Sequence, residues 1–171
     1  MIALNLAMTK GSITEEQYLY GIEQLRKIPA RVEKVLECNE LVGQIAEEIK
    51  EISYVHAEAF AAGELKHESI ALIDKGTPVV AIDTQNQLFE KIVLNMQEVR
   101  ARGARVIAIT QEGNTEVEKS ADRVIYTPKV DDMFARITAV VPMQLLAYHA
   151  LNIRELDVDK PRNLAKSVIV E

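Results

Sequence analysis

Three short apolar runs separated by helix-length amphipathic segments predict an α/β protein with a short parallel sheet. The runs are Pro78-Val-Val-Ala-Ile-Asp83, Arg105-Val-Ile-Ala-Ile-Thr110 and Arg123-Val-Ile-Tyr-Thr127. Each is near-continuously apolar, the pattern of a strand covered on both faces. Strands that alternate with helices imply crossover connections and a three-layer α/β/α arrangement, preceded here by a helical connector. In such a sheet a ligand is expected beyond the carboxyl ends of the strands.

The opening residues, Met1-Ile-Ala-Leu-Asn-Leu-Ala-Met8, are too few to span a bilayer and lack the basic start of a signal peptide. They read as the last turns of a helix begun upstream, so that the chain would start mid-fold. Thr14-Glu-Glu-Gln17 is a capping box, in which the threonine oxygen takes an early amide and Gln17 reaches back. The following helix presents Tyr18, Ile22 and Leu25. Pro29 is expected to break it and to open a second helix with Val32, Val35 and Leu36 as its stripe. Residues 1–40 thus form the connector and 41–171 the domain. Only about ten residues, 41–50, precede the next segment, too few for a strand and a crossover helix. Glu47, Glu48 and Lys50 read as an ordinary helix running into Glu51.

Beyond the first strand, Thr84-Gln-Asn-Gln87 offers a second capping box. The helix it opens carries Leu88, Ile92, Met96 and Val99 and stops before Gly103. Asp131 or Asp132 is expected to cap a long last helix. Its broad buried face would be Met133, Phe134, Ile137, Val140, Val141, Leu145 and Tyr148, with a kink at Pro142. His149, near its end, suits the helix dipole better than catalysis.

Composition narrows the function. The chain has 171 residues, 48% hydrophobic and 27% charged, a net charge of −6 and a pI near 5.2. That balance fits one soluble domain and argues against a nucleic-acid partner, because no Lys/Arg cluster could track a phosphate backbone. No membrane partner is expected either. Cys38 is the only cysteine, so no intrachain disulfide forms, which suits a reducing cytoplasm.

Residues 51–73 hold two of the three histidines, His56 and His67, with four glutamates among small residues such as Ala57, Ala59, Ala61 and Ala62. Carboxylates and imidazoles within reach of one ligand are what acid–base chemistry on a small substrate needs. The pattern also fits a partly buried helix whose polar groups are satisfied by neighbours, and on pattern alone that reading is the simpler.

A resemblance decides between them. Lys50-Glu-Ile-Ser-Tyr-Val-His-Ala-Glu-Ala-Phe-Ala-Ala-Gly-Glu-Leu-Lys-His67 and the tail Pro161-Arg-Asn-Leu-Ala-Lys-Ser-Val-Ile-Val-Glu171 resemble the second sugar-isomerase (SIS) subdomain of the glutamine–fructose-6-phosphate aminotransferase (glucosamine-6-phosphate synthase) family. The resemblance covers essentially the whole chain except a gap at residues 41–50, where the opening strand of the subdomain is missing. It implies aldose–ketose chemistry on fructose-6-phosphate or glucosamine-6-phosphate, with no cofactor and no metal. His67 matches the ring-opening histidine, Glu51 the carboxylate that moves a proton between C1 and C2, and Lys166 the Schiff-base lysine of a closing tail. Ala165 lends its backbone to the same pocket. In the family the histidine matching His67 reaches a neighbouring subunit's site, which implies a homodimer.

The chain departs from that pattern in three places. Glu48 stands where the family has a lysine, a change that should raise the pKa of Glu51. Glu68-Ser69 replaces Gly-Pro after His67. The phosphate-binding Ser/Thr loop of the first subdomain and the glutaminase domain have no counterpart. Three functions are therefore carried forward: an enzyme segment not active alone, a non-catalytic truncated module with weak sugar-phosphate binding, and a self-associating domain whose lost strand leaves a sheet edge to cover.

Overall fold

The computed structural model describes residues 1–49, 57–65 and 69–159. Helix α1 (Ile2–Thr9) and helix α2 (Glu15–Leu36) lead into α3 (Asn39–Ile49). Strand β1 (Pro78–Asp83), helix α4 (Phe89–Ala101), strand β2 (Arg105–Gln111), strand β3 (Arg123–Thr127) and helix α5 (Ala135–Ile153) follow. The strands form a parallel sheet in the order β1-β2-β3, with Val79 opposite Val106 and Ile109 opposite Ile125.

Alternation along β2 builds the layers, because successive side chains point to opposite faces. Ile107 and Ile109 pack with Val42, Ile45, Ala46 and Ile49 of α3, with Ile125 of β3, and with Ala139 and Leu146 of α5. Val106 and Ala108 pack on the other face with Met96 and Val99 of α4 and with Val117. Helices α3 and α5 therefore form one layer, the sheet the second and α4 the third. Among the described residues no helix is long and apolar enough to cross a membrane.

The capping box at Thr14 is formed: the Gln17 amide donates to Thr14 Oγ1 at 3.2 Å and the Thr14 amide to Gln17 Oε1 at 2.9 Å. Pro29, however, does not end the helix. Gly21, Ile22, Leu25, Ile28, Val32 and Val35 keep one helical phase across it, all at least partly buried. Pro29 itself is exposed, so water can take the carbonyl it leaves free. Continuity of the buried stripe outweighs the local break.

Two capping assignments and one buried face also differ from expectation. A 3-10 turn over Asn86–Leu88 precedes α4, whose N-cap is Leu88 with no side-chain bond. Asp131 Oδ1 instead accepts from the Met133 amide at 2.9 Å in the turn before α5, whose N-cap is Phe134. Helix α5 runs through Pro142 and buries Ala135, Thr138, Ala139, Pro142 and Leu146. Met133, Ile137, Val140 and Tyr148 of the expected face are exposed. A helix apolar on nearly all sides gives no single stripe to read. His149 is held between helices, its Nε2 2.9 Å from Asn39 Oδ1.

Gly103 ends α4 with φ of +93°, and a Cβ there would lie 3.1 Å from Lys75 Cα. Gly113 has a similar φ of +101° with nothing within 4 Å. Gly103→Ala should therefore cost about 1–2 kcal/mol more than a helix-neutral change, and more than Gly113→Ala. Urea denaturation of both variants checks this; equal losses would show that the Lys75 contact is without consequence.

Candidate functional site

The sheet offers two ends at which chemistry could be built. At the carboxyl end, Asp83 closes β1 with only 1% of its surface exposed. Its Oδ2 accepts from the Thr110 hydroxyl at 2.9 Å and from Asn114 Nδ2 at 3.2 Å. Asp83 Oδ1 is buried with no hydrogen-bond partner among the described residues. Burial pushes the Asp83 carboxyl above its ordinary range, and hydrogen bonds from Thr110, Asn114 and the Gln85 backbone only partly offset this. Around it the polar groups are already spent on each other. Gln111 accepts from the Val130 amide at 3.0 Å, and the Thr127 hydroxyl donates to Thr110 O at 3.2 Å. This network ties the strand ends and the following loops together.

A hollow of about 350 Å³ opens beside this end, lined by Leu4, Ile13, Tyr20, Met133, Phe134 and Asp131. Tyr20 Oη donates to Asp131 Oδ2 at 3.0 Å, which raises the phenol's pKa. An apolar lining whose charged members are Glu16 and Asp131 repels a phosphate rather than holding one.

The amino end carries the opposite charge. Arg105 and Arg123 are the first residues of β2 and β3, and both reach Glu48 in the last turn of α3. Arg105 Nη2 pairs with Glu48 Oε2, and its Nη1 donates to the Glu48 carbonyl at 3.2 Å. Arg123 Nε donates to Glu48 Oε1 at 3.1 Å. The Arg123 hydrogen bonds hold the Glu48 carboxyl below its ordinary range, and charge attraction from both arginines adds to them against some burial. Two cations fix one anion and cap the end of α3. Glu48 is thus not the bare negative charge that its replacement of a lysine suggested.

All four residues picked out in the sequence, Glu51, His67, Ala165 and Lys166, lie outside the described residues. Their described neighbours are placed. Ile49, buried in the α3/α5 core, ends the helix beside the Glu48 clamp. Leu65 O accepts from the Ile70 amide at 3.0 Å, and Leu65 packs on the α4 core. The chain therefore leaves α3 at the amino ends of the strands, not at the carboxyl ends where a ligand was expected. The sequence reading missed both the Asp83 network and the Glu48 clamp. An arginine opening each of two adjacent strands, with an acid closing the preceding helix, was the available signal for the second.

Residues 43–154 match the SIS domain model. The chain belongs to the SIS-domain family. It is 41% identical to the glutamine–fructose-6-phosphate aminotransferase (isomerizing) of Methanosarcina mazei and 43% identical to that of Thermus thermophilus, in each case over 196 positions covering 100% of this chain and 32% of the relative. A Symbiobacterium thermophilum aminotransferase of the same name is 58% identical over 123 residues, 72% of this chain and 20% of its own length. Among solved structures, the C-terminal domain of glucosamine-fructose-6-phosphate aminotransferase from Francisella tularensis superposes with a TM-score of 0.84 at 31% identity, covering 93% of this chain and 52% of that one. This SIS chain spans about a third of the length of the curated relatives it matches. An alignment of 196 positions against 171 residues leaves at least 25 positions of the relative unmatched inside it. The chain is internally shortened.

Two titrations follow. Asp83 has a raised folded pKa, so the fold loses stability as pH climbs from about 4 through that raised value. Asp83→Asn should therefore gain in melting temperature relative to wild type as pH rises from 4 to 8; a gap that does not change with pH would refute it. Glu48 has a lowered folded pKa, so its contribution is present above the ordinary glutamate value and lost as pH falls through the lowered one. Glu48→Gln should lower the melting temperature at pH 7 by roughly 2–4 °C and by less at pH 3. A larger loss at pH 3 would reverse the assignment.

Proposed function

We propose that this SIS chain is the isomerase-domain segment that closes the sugar site of a glucosamine-6-phosphate synthase, and that it is not active alone. The match over 100% of the chain to the aminotransferases carries this reading. Its ligand is a hexose phosphate, fructose-6-phosphate or glucosamine-6-phosphate. Residues 1–40 serve as the helical connector and 41–171 as the shortened second SIS subdomain. Residence in the cytoplasm and a homodimeric state belong to the same proposal.

In this reading His67 transfers the proton that opens the sugar ring. The neutral amine of Lys166 then attacks the C2 carbonyl, and water leaves as the Schiff base forms. Losing the lysine proton requires a site that disfavours the ammonium, by desolvation or neighbouring cations. Glu51 moves the proton between C1 and C2, and the backbone of Ala165 lines the pocket. A tail that carries the amine can act as a lid over bound sugar.

A second reading, a non-catalytic module, is favoured by one observation. The position where the family has a lysine is Glu48, which is spent on Arg105 and Arg123 rather than left for proton transfer. Borohydride trapping with fructose-6-phosphate separates the two. The enzyme-segment reading expects a reduced adduct in wild type and at least a tenfold smaller yield in Lys166→Ala. Equal yields would remove Lys166 from the chemistry, and calorimetry with no heat at millimolar sugar phosphate would remove the ligand as well.

A further inference from the structure

Two carboxylates and an aromatic ring share the hollow beside the carboxyl end of the sheet, and the proposed sugar chemistry uses none of them. The hollow holds about 350 Å³, the size of a small-molecule pocket. Its walls come from α1, the first turns of α2 and the turn before α5.

The capping box at Thr14 fixes the start of α2. The helical period then puts Glu16 and Tyr20 on one face, with Gly21 beside them. Gly21 is buried and has no side chain, so Leu4 of α1 settles onto it: a Cβ there would lie 3.1 Å from both Leu4 methyls. Phe134, 8% exposed, completes an apolar floor. Hydrogen bonds pin the three walls to one another. The Tyr18 hydroxyl donates to Asn5 Oδ1 at 2.7 Å, joining α1 to α2, and the Tyr20 hydroxyl joins α2 to Asp131.

The charge on this frame has one sign. Asp131 accepts from the Tyr20 hydroxyl at 3.0 Å through Oδ2 and from the Met133 amide at 2.9 Å through Oδ1, and both donors are neutral. Each carboxylate oxygen keeps a lone pair for a further donor. Among the described residues neither Asp131 nor Glu16 has an ion-pair partner, whereas further along α2 Glu23 pairs with Lys27, and Lys34 with Glu112. Both acids lie at helix N-termini, where the dipole favours negative charge, so the fold holds them in place without a cation of its own.

Few ligands suit a hydrocarbon floor under two anions. A phosphate or carboxylate is repelled. A neutral apolar molecule covers the floor and leaves the acids unmatched, and a strongly hydrated metal ion gains nothing from Leu4 or Phe134. An ammonium or guanidinium on an apolar body satisfies both parts. Its N–H groups reach the open lone pairs of Asp131, its body covers Leu4 and Phe134, and the ring of Tyr20 attracts the cation through its face.

We propose that this hollow is a binding site for a small organic cation, an ammonium or guanidinium carried on an apolar body, with Asp131 and Glu16 meeting the charge and Tyr20 the body. The site goes beyond the sugar-phosphate reading and does not rest on it.

Protonated phenethylamine tests it in the full chain at pH 7, with phenethyl alcohol and phenylacetate as neutral and anionic probes of the same body. Methionine-methyl NMR locates the binding: the amine should shift Met133, which lines the hollow, and leave Met96, 2% exposed in the α4 core, in place. The amine should bind about tenfold more tightly than the alcohol, and phenylacetate more weakly than either. Asp131→Asn and Glu16→Gln should each weaken the amine about fivefold. Glu16 is exposed, so its variant carries the test even where Asp131→Asn does not fold. Glu37→Gln, at the far end of α2, removes the same unit charge and should change nothing, which separates a local site from the general pull of a chain of net charge −6. Equal affinity for the three probes, an unmoved Met133 at millimolar amine, or the same loss in Glu37→Gln as in Glu16→Gln would overturn the proposal. Calorimetry with fructose-6-phosphate reports separately on the functional reading.

Discussion

Removal of β2 from water on both faces is the constraint on which the rest of the structure depends. Val106, Ile107, Ala108 and Ile109 are each no more than 1% exposed. Burying a strand on two faces requires a helix layer on each side, since loops would leave its neighbours' backbone groups unsatisfied. The two cores differ in kind. The α4 side is built from Val106, Ala108, Met96 and Val99, small residues against a flexible thioether, whereas the other side packs five branched isoleucines from α3 and the sheet. The stiffer core is the one that holds α3, and α3 delivers the chain toward Glu51. Packing thus sets where the chain leaves α3 before any polar contact does.

What could be read from the residues follows from this. Strands buried on both faces announce themselves as apolar runs, so β1 and β3 fall where the sequence placed them and β2 runs one residue further, to Gln111. The features that were not legible depend on a competitor elsewhere in the chain. Pro29 carries a strong local stop signal, but the stop loses to a stripe that stays in phase for four turns and packs on α5. Thr84 and Asp131 carry good capping side chains, yet both side chains sit one short turn upstream of their helices. On α5 the apolar residues run nearly all round, so no rule of periodicity could say which of them the sheet would claim.

The candidate site was legible in a different way. Glu51, His67, Ala165 and Lys166 were found by their resemblance to a family's words and not by their surroundings, and such words carry no geometry. Glu48 shows what is lost. Read in a line, a glutamate in place of a lysine reverses the local field. Placed beside Arg105 and Arg123, it sits in a cluster of one anion and two cations, whose net sign is that of the lysine it replaces.

The internal shortening can be reconciled with a persistent fold for a related reason. A parallel sheet depends least on its outermost strand, because the central strand already has both neighbours and both helix layers without it. In this chain α4 covers one face of the sheet and α3 with α5 the other. At the margin β1 is half-buried and α5 exposes Ile137 and Val140. Exposure of that kind at the surface does not unfold the domain. The shortened chain keeps a sheet with a helix layer on each face, so loss of sequence need not be loss of fold.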